Sequence, residues 1–129
     1  MISIFNLVIA ILEIVLGCGF IGFWIIFYFT EYKNPTIDEV FFTHEKTFPL
    51  PDLGWVTPCL FISGISILLN QDFGFFFAAL AGSGMMFLGL IDLAYDIQNR
   101  FYTPLGVLII LIMLIGGPIL IILAWINLL

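Results

Sequence analysis

Carboxylates embedded in apolar sequence are the residues of this chain best suited to chemistry. Glu13 and Asp92 stand within long apolar runs, Asp96 directly follows the run that holds Asp92, and Asp52 precedes another run. An ionised aspartate at the centre of a membrane-spanning helix costs about 2.5–3.5 kcal/mol on insertion scales. None of these runs contains a Lys or Arg that could pair with the acid. Acids gathered without bases either share protons or bind a positively charged ligand.

Helical spacing groups most of these acids with aromatic residues. Asp92 and Asp96 are one turn apart, at a depth where the ends of two other apolar runs should converge. Aromatic faces attract organic cations. The predicted ligand-binding residues are therefore Asp52, Asp92, Asp96, Glu31, Trp24, Tyr28 and Trp55. For Asp96 there is an alternative, an i,i+4 salt bridge with Arg100 that would be purely structural.

Glu13 lies deeper than the other acids. It should reach the depth of Ser66 and Asn70, about 24 Å of helix rise below the end of the first run. We consider two interpretations, a protonated Glu13 hydrogen-bonded to Ser66 or Asn70, and a site that takes up a proton or cation. Glu13 is therefore included among the candidate ligand-binding residues.

Metal chemistry has few candidate ligands in this sequence. His44 is the single histidine, so His-rich zinc or haem sites are not expected. A carboxylate-rich metal site could use Glu45, Asp52 and Asp92, with a contribution from His44. There is no Cys-x-x-Cys, no phosphate-binding glycine loop and no serine with a histidine base. We therefore name no catalytic residue and no cofactor, and expect a binding protein rather than an enzyme.

The elements that must position these acids are membrane-spanning helices. Of the 129 residues, 63% are hydrophobic and 9% are charged, far from the half apolar and quarter charged composition of soluble domains. A span needs about 20 apolar residues. We predict an all-α fold, a single integral membrane four-helix bundle over residues 1–129, with spans at about 4–29, 53–69, 73–95 and 103–128.

The loop between the first two spans, residues 30–51, should carry a short interfacial helix. The stretch from Thr36 to Glu39 is typical of a capping box that opens a helix toward His44. We expect this segment, including His44 and Glu45, to act as a lid. Asp52 should cap the N-terminus of the second span. The positive-inside rule places the first and third loops in the cytoplasm and the termini outside a cell membrane, because those loops carry all Lys and Arg.

Small and polar residues recur three, four and seven apart in each span, and these stripes should face one another, since lipid cannot satisfy polar groups. The stripes are Asn6, Ala10, Glu13, Gly17, Trp24, Tyr28 and Glu31; then Asp52, Trp55, Cys59, Ser63, Ser66 and Asn70; then Ala78, Gly82, Met85, Gly89, Asp92 and Asp96; and, more weakly, Gly106, Met113, Gly117 and Ala124. For the glycines, serines and methionines, close helix packing is the simpler explanation.

Two motifs carry a resemblance to a known family. Glu45 to Asp52 reads EKTFPLPD, and Phe87 to Asp92 reads FLGLID. Together they resemble a family of small four-helix prokaryotic membrane proteins of unknown function, over about half the chain. The resemblance implies no activity, but it selects Asp52 and Asp92 as the positions of first interest.

Three functions are compatible with this sequence. The first is binding or transport of a small ligand or cation at an acidic site inside the bundle. The second is a non-catalytic accessory or assembly subunit of a larger membrane complex, and the third is a metal-dependent membrane enzyme. The expected partners are the lipid bilayer and a small cation or organic ligand, with a homodimer or larger membrane partner left open. An acidic chain with net charge −6 is not expected to bind nucleic acid.

Overall fold

The computed structural model describes residues 2–33 and 38–129, and within these ranges it is helical with no strands. Four helical stretches are long and apolar enough to cross a membrane: Ile4–Tyr32, Glu39–Leu68, Phe73–Asn99 and Pro104–Leu128. The prediction of an all-α, four-helix membrane protein is confirmed at this level. Which loops face which side of the membrane stays a prediction.

The helices are α1 (Ile4–Phe27), α2 (Glu39–Glu45), α3 (Pro49–Pro51), α4 (Thr57–Leu68), α5 (Phe73–Asn99) and α6 (Pro104–Leu128). Two of the long helices, α1 and α6, begin at a side-chain N-cap. Ser3 accepts from the Asn6 backbone N–H at the start of α1, and Thr103 accepts from Gly106 at the start of α6. The Thr36 end of the proposed capping box lies outside the described residues. Within them, Asp38 caps α2 by accepting from Val40 and Phe41.

Two π-helical turns interrupt the regular geometry. Tyr28–Tyr32 extends α1, and Asp52–Val56 joins α3 to α4. A π-turn contains an additional residue and so rotates the following part of the helix relative to an ideal 3.6-residue period. Both turns lie at the end of the bundle that holds the first loop, and they change which side chains point inward there.

The second span starts earlier than predicted. Helical structure begins at Pro49 and is continuous through Leu68, rather than beginning at residue 53. The prediction that Asp52 caps this helix is therefore wrong, because Asp52 lies a turn inside it, and its carboxylate instead accepts a hydrogen bond from Trp24. Hydropathy identifies only the apolar part of a helix, and a proline at the first position lets the helix start before that part.

Close glycine contacts set how the helices pack. α1 packs on α4, α4 on α5 and α5 on α6. A Cβ at Gly64 would lie 2.7 Å from the Ala10 carbonyl oxygen, and a Cβ at Gly82 would lie 2.5 Å from that of Gly117. Neither position tolerates a side chain without a shift. These contacts fix α4 against α1 and α5 against α6, as expected for small residues at membrane helix interfaces.

The predicted stripes form most of the interior. On α1 the buried residues are Ala10, Glu13, Gly17, Trp24 and Phe27. On α5 they include Ala78, Gly82, Met85, Gly89 and Asp96. The large aliphatic residues between them are mostly exposed, as required of a surface that faces lipid. α6 remains helical through Pro118.

Candidate functional site

A cavity of about 580 Å³ lies at the end of the bundle that carries the first loop. It is bounded by α1, α5 and α6 and by the segment from α2 to the π-turn at Asp52. Its wall is mainly aliphatic and aromatic. The volume is within the range of about 300–1,000 Å³ typical of small-molecule sites.

Five of the nine acidic residues line this one cavity: Glu31, Glu45, Asp52, Asp92 and Asp96. No Lys or Arg is among the lining residues. Asp52 and Asp96 are each only 4% exposed. Helical spacing predicts that most of these acids converge, and in the structure they line the same cavity. Glu45 and Asp92 approach closely, and like charges repel one another at such a separation unless a proton or a cation compensates.

Asp52 is the most constrained of these acids. The Trp24 indole N–H donates to Asp52 Oδ2 at 2.8 Å, across the interface between α1 and the π-turn. Trp24 itself packs edge-to-face on Phe23 and Phe27, with ring centroids 4.8 and 5.2 Å away. The second oxygen, Oδ1, is buried without a hydrogen-bond partner. A buried unpartnered carboxylate oxygen is costly, so this atom is well suited to accept from a ligand.

His44 joins the acidic group from the first loop. Its Nε2 lies 2.9 Å from Asp92 Oδ1, and its ring stacks on Tyr95 at 3.8 Å between centroids with an interplanar angle of 8°. One potential ligand atom from each of His44, Glu45 and Asp92 lies within 4.8 Å of the other two. Imidazole plus two carboxylates is a common donor set for divalent transition metals.

Aromatic contacts hold α2 across the end of the bundle. Phe42 stacks on Phe27 of α1 at 6.0 Å, and on the other side Phe41 packs on Phe101 at 4.4 Å between ring centroids. α2 therefore bridges α1 and the segment after α5, and it brings His44 and Glu45 over the acids. The role of this segment as a lid stays a prediction.

Comparisons with known proteins add no name to this geometry. No family model, curated protein or solved structure matches the chain. The family resemblance carried by the Glu45 to Asp52 and Phe87 to Asp92 motifs therefore rests on those residues alone. The two motifs do meet in space, since Glu45, Asp52 and Asp92 line the same cavity.

Two of the predicted aromatic residues lie outside the cavity lining. Trp55 is 52% exposed and borders a separate groove with Gly84 and Phe87. Tyr28 is 47% exposed and stacks on Tyr32 instead. The second π-turn explains the position of Trp55, because the extra residue places Val56 rather than Trp55 inward after Asp52. At the end of α1, Phe27 rather than Tyr28 is the last buried residue. A period of 3.6 applied to the sequence misses this rotation.

Glu13 forms a second polar centre, away from the cavity. It is 2% exposed and accepts a hydrogen bond from Ser63 Oγ at 2.9 Å, while its Oε1 has no partner. The expected partners, Ser66 and Asn70, are not the ones it uses. The close approach of Gly64 to α1 sets the register and brings Ser63 level with Glu13. Eleven residues of helix, about 16 Å, separate Glu13 from Trp24.

The structural alternative for Asp96 is not observed. Arg100 adopts a left-handed conformation, with φ of 50°, at the C-terminus of α5. Among the described residues, the only contact within 4.0 Å between a side-chain nitrogen of a basic residue and a carboxylate oxygen joins His44 and Asp92. Arg100 and Phe101 donate their backbone N–H groups to the Asp96 carbonyl, so Arg100 ends the helix without neutralising the Asp96 carboxylate.

Several lining residues were missed by the sequence analysis. Phe41, Phe48 and Phe101 belong to the aromatic part of the wall, and Phe48 is buried although it lies in the first loop. The run Phe41 to His44 offered a signal, since a short loop helix with adjacent phenylalanines must bury them against something. No local signal could pair His44 with Asp92, because 48 residues separate them.

Proposed function

We propose that this membrane protein binds a small cation or a cationic group in the acidic cavity at the first-loop end of the bundle. One observation carries the proposal: Glu45, Asp52, Asp92 and Asp96 line a single cavity, and among the described residues that line it there is no Lys or Arg. Burying a group of acids inside a membrane protein costs free energy, and intramembrane acids commonly mark ion or substrate sites.

Asp52 and Asp92 are the proposed anionic anchors. Asp52 offers an unpartnered buried oxygen, and Trp24 holds that side chain in place. Asp92 lies beside His44 at the edge of the lid. The aromatic wall around Trp24 suits an organic cation, whose charge is attracted by ring faces. Binding at this site is also the step that transport of such a cation would require.

The test uses tetramethylammonium as a probe and Trp24 fluorescence as a readout. The protein has three tryptophans, and Trp55 and Trp125 are exposed, so changing both to Phe leaves Trp24 as the reporter. We expect a saturable fluorescence change. Asp92→Asn should weaken binding by about tenfold or more, as truncating one partner of a desolvated charge interaction does.

Asp72→Asn is the matched control. It removes the same charge from the exposed turn before α5, at the opposite end of the bundle. The control should bind tetramethylammonium like the parent protein. Equal binding by Asp92→Asn and the parent would overturn the role of the acidic cavity.

A divalent metal is the second candidate ligand, favoured by the compact arrangement of His44, Glu45 and Asp92. Metal binding would need all three side chains, whereas an organic cation needs the carboxylates and the aromatic wall. Titration with Zn²⁺ and with Mn²⁺, followed by elemental analysis of the purified protein, separates the two. His44→Ala should abolish metal binding and leave tetramethylammonium binding in place. Retention of metal by His44→Ala would exclude this donor set.

A further inference from the structure

The acidic group occupies only one end of the cavity. Toward the middle of the bundle the wall becomes apolar, with Leu16 and Phe20 from α1, Leu88 from α5, and Ile109 and Met113 from α6. From Leu88 to Asp96 along α5, the helix rises about 12 Å, so the apolar part extends well below the acids. A bare metal ion or a tetramethylammonium ion would leave this part unfilled.

The apolar part opens sideways between α1 and α6. These two helices are not among the pairs that pack closely along their length. Near their far ends the side chains of Asn6 and Asn127 are hydrogen-bonded at 2.9 Å, so the helices meet there. At the level of the cavity, Ile26 and Leu108 on its rim are 64% and 54% exposed. Both are large aliphatic residues on helices of membrane-spanning length, as expected of a rim that faces lipid.

We infer that the natural ligand is an amphiphile, with a cationic head held by the acids and an apolar tail lying in the cleft between α1 and α6. The inference rests on the proposed function and specifies its ligand class. Charge complementarity selects the head, since the polar end of the cavity is lined by carboxylates. The same carboxylates would repel the phosphate of a phospholipid, and like charges placed together at a binding site are strongly disfavoured.

Gly19 offers a direct way to test the cleft. It lines the cavity, and a Cβ added there would meet no atom within 4 Å. Gly19→Leu should therefore fill part of the cleft without disturbing the packing of α1. Gly22 is the matched control, because a Cβ there also meets nothing within 4 Å and Gly22 does not line the cavity. Both changes replace a helical glycine with a better helix former.

The experiment measures binding of three probes by Trp24 fluorescence, at one fixed concentration of maltoside micelles. Dodecyltrimethylammonium carries head and tail, tetramethylammonium only the head, and 1-dodecanol only the tail. Gly19→Leu should weaken dodecyltrimethylammonium binding by about tenfold or more, since over-filling a packed site is costly. It should leave tetramethylammonium binding unchanged, and Gly22→Leu should behave like the parent. Asp92→Asn should weaken both ammonium probes.

The alternative outcomes separate this inference from the proposed function. If tetramethylammonium binds in an Asp92-dependent way but Gly19→Leu affects neither ammonium probe, the amphiphile inference is overturned and the cation site stands. If 1-dodecanol binds as tightly as dodecyltrimethylammonium, the cleft accepts hydrocarbon without regard to charge, and the inference fails. If no ammonium probe binds, the inference is overturned together with the proposed organic-cation site, and the metal titration alone decides the second candidate ligand.

Discussion

The hydrogen bond between Trp24 and Asp52 makes a quantitative prediction about stability. Its donor and acceptor are both buried, and the other Asp52 oxygen has no partner. Trp24→Phe removes the last hydrogen bond to this carboxylate while keeping an aromatic ring beside Phe23 and Phe27. Hydrogen bonds to charged groups contribute about 1.5–3 kcal/mol in soluble proteins, whereas side-chain hydrogen bonds between membrane helices average about 0.6 kcal/mol with a maximum near 1.7.

We expect a coupling free energy of about 1–2 kcal/mol between the two residues, at the upper end of the membrane range because no described group replaces the indole. The assay is a double-mutant cycle of Trp24→Phe, Asp52→Leu and the double variant. Unfolding by dodecyl sulfate in mixed micelles, followed by circular dichroism, gives each free energy of unfolding.

A second cycle on Asn6 and Asn127 is the comparison, because the reciprocal hydrogen-bonded contact of these two amides is neutral and only partly buried. Its coupling should be about 0.6 kcal/mol, the average for membrane helices. A Trp24 to Asp52 coupling no larger than the Asn6 to Asn127 coupling would refute the reasoning that burial and charge strengthen this contact.

Two further predictions concern packing and the second polar centre. Gly82→Leu should destabilise the protein by about 1–3 kcal/mol or more, because its side chain would collide with the Gly117 carbonyl and Leu120, while Gly22→Leu should be nearly neutral in the same unfolding assay. Ser63→Ala should cost about 1–3 kcal/mol because it leaves Glu13 buried without a hydrogen bond. Adding Glu13→Leu to Ser63→Ala should recover most of that loss; a double variant less stable than Ser63→Ala would show that the Glu13 carboxyl is stabilised by something other than Ser63.

The spans were predictable because hydropathy acts over whole segments. Four apolar stretches appear in the sequence and four helices of spanning length appear in the structure. The ends were less accurate. α5 continues to Asn99, four residues past the predicted boundary at 95, and the second helix starts at Pro49. Helices extend beyond the hydrocarbon with polar residues, which a hydropathy criterion cannot recognise.

The inward stripes were predictable for a related reason. Lipid satisfies no polar group, so Glu13 and Ser63 had to point inward wherever a regular helix carried them. The prediction failed for Trp55 and Tyr28, which lie in π-turns. The phase of a helix after such a turn depends on packing against its neighbours, and a single sequence contains no direct record of it.

Composition and periodicity by themselves determined that this chain suits a lipid environment, that it is helical and which acids face inward. All three depend on the free-energy cost of exposing polar groups to hydrocarbon. Only the tertiary structure decided which groups meet. The contact of Trp24 with Asp52, the arrangement of His44 over Asp92 and the cleft between α1 and α6 all depend on helix register and crossing. Helix register and crossing are set by close contacts, such as that of Gly64 with α1 and that of Gly82 with α6. These contacts join residues far apart in the chain.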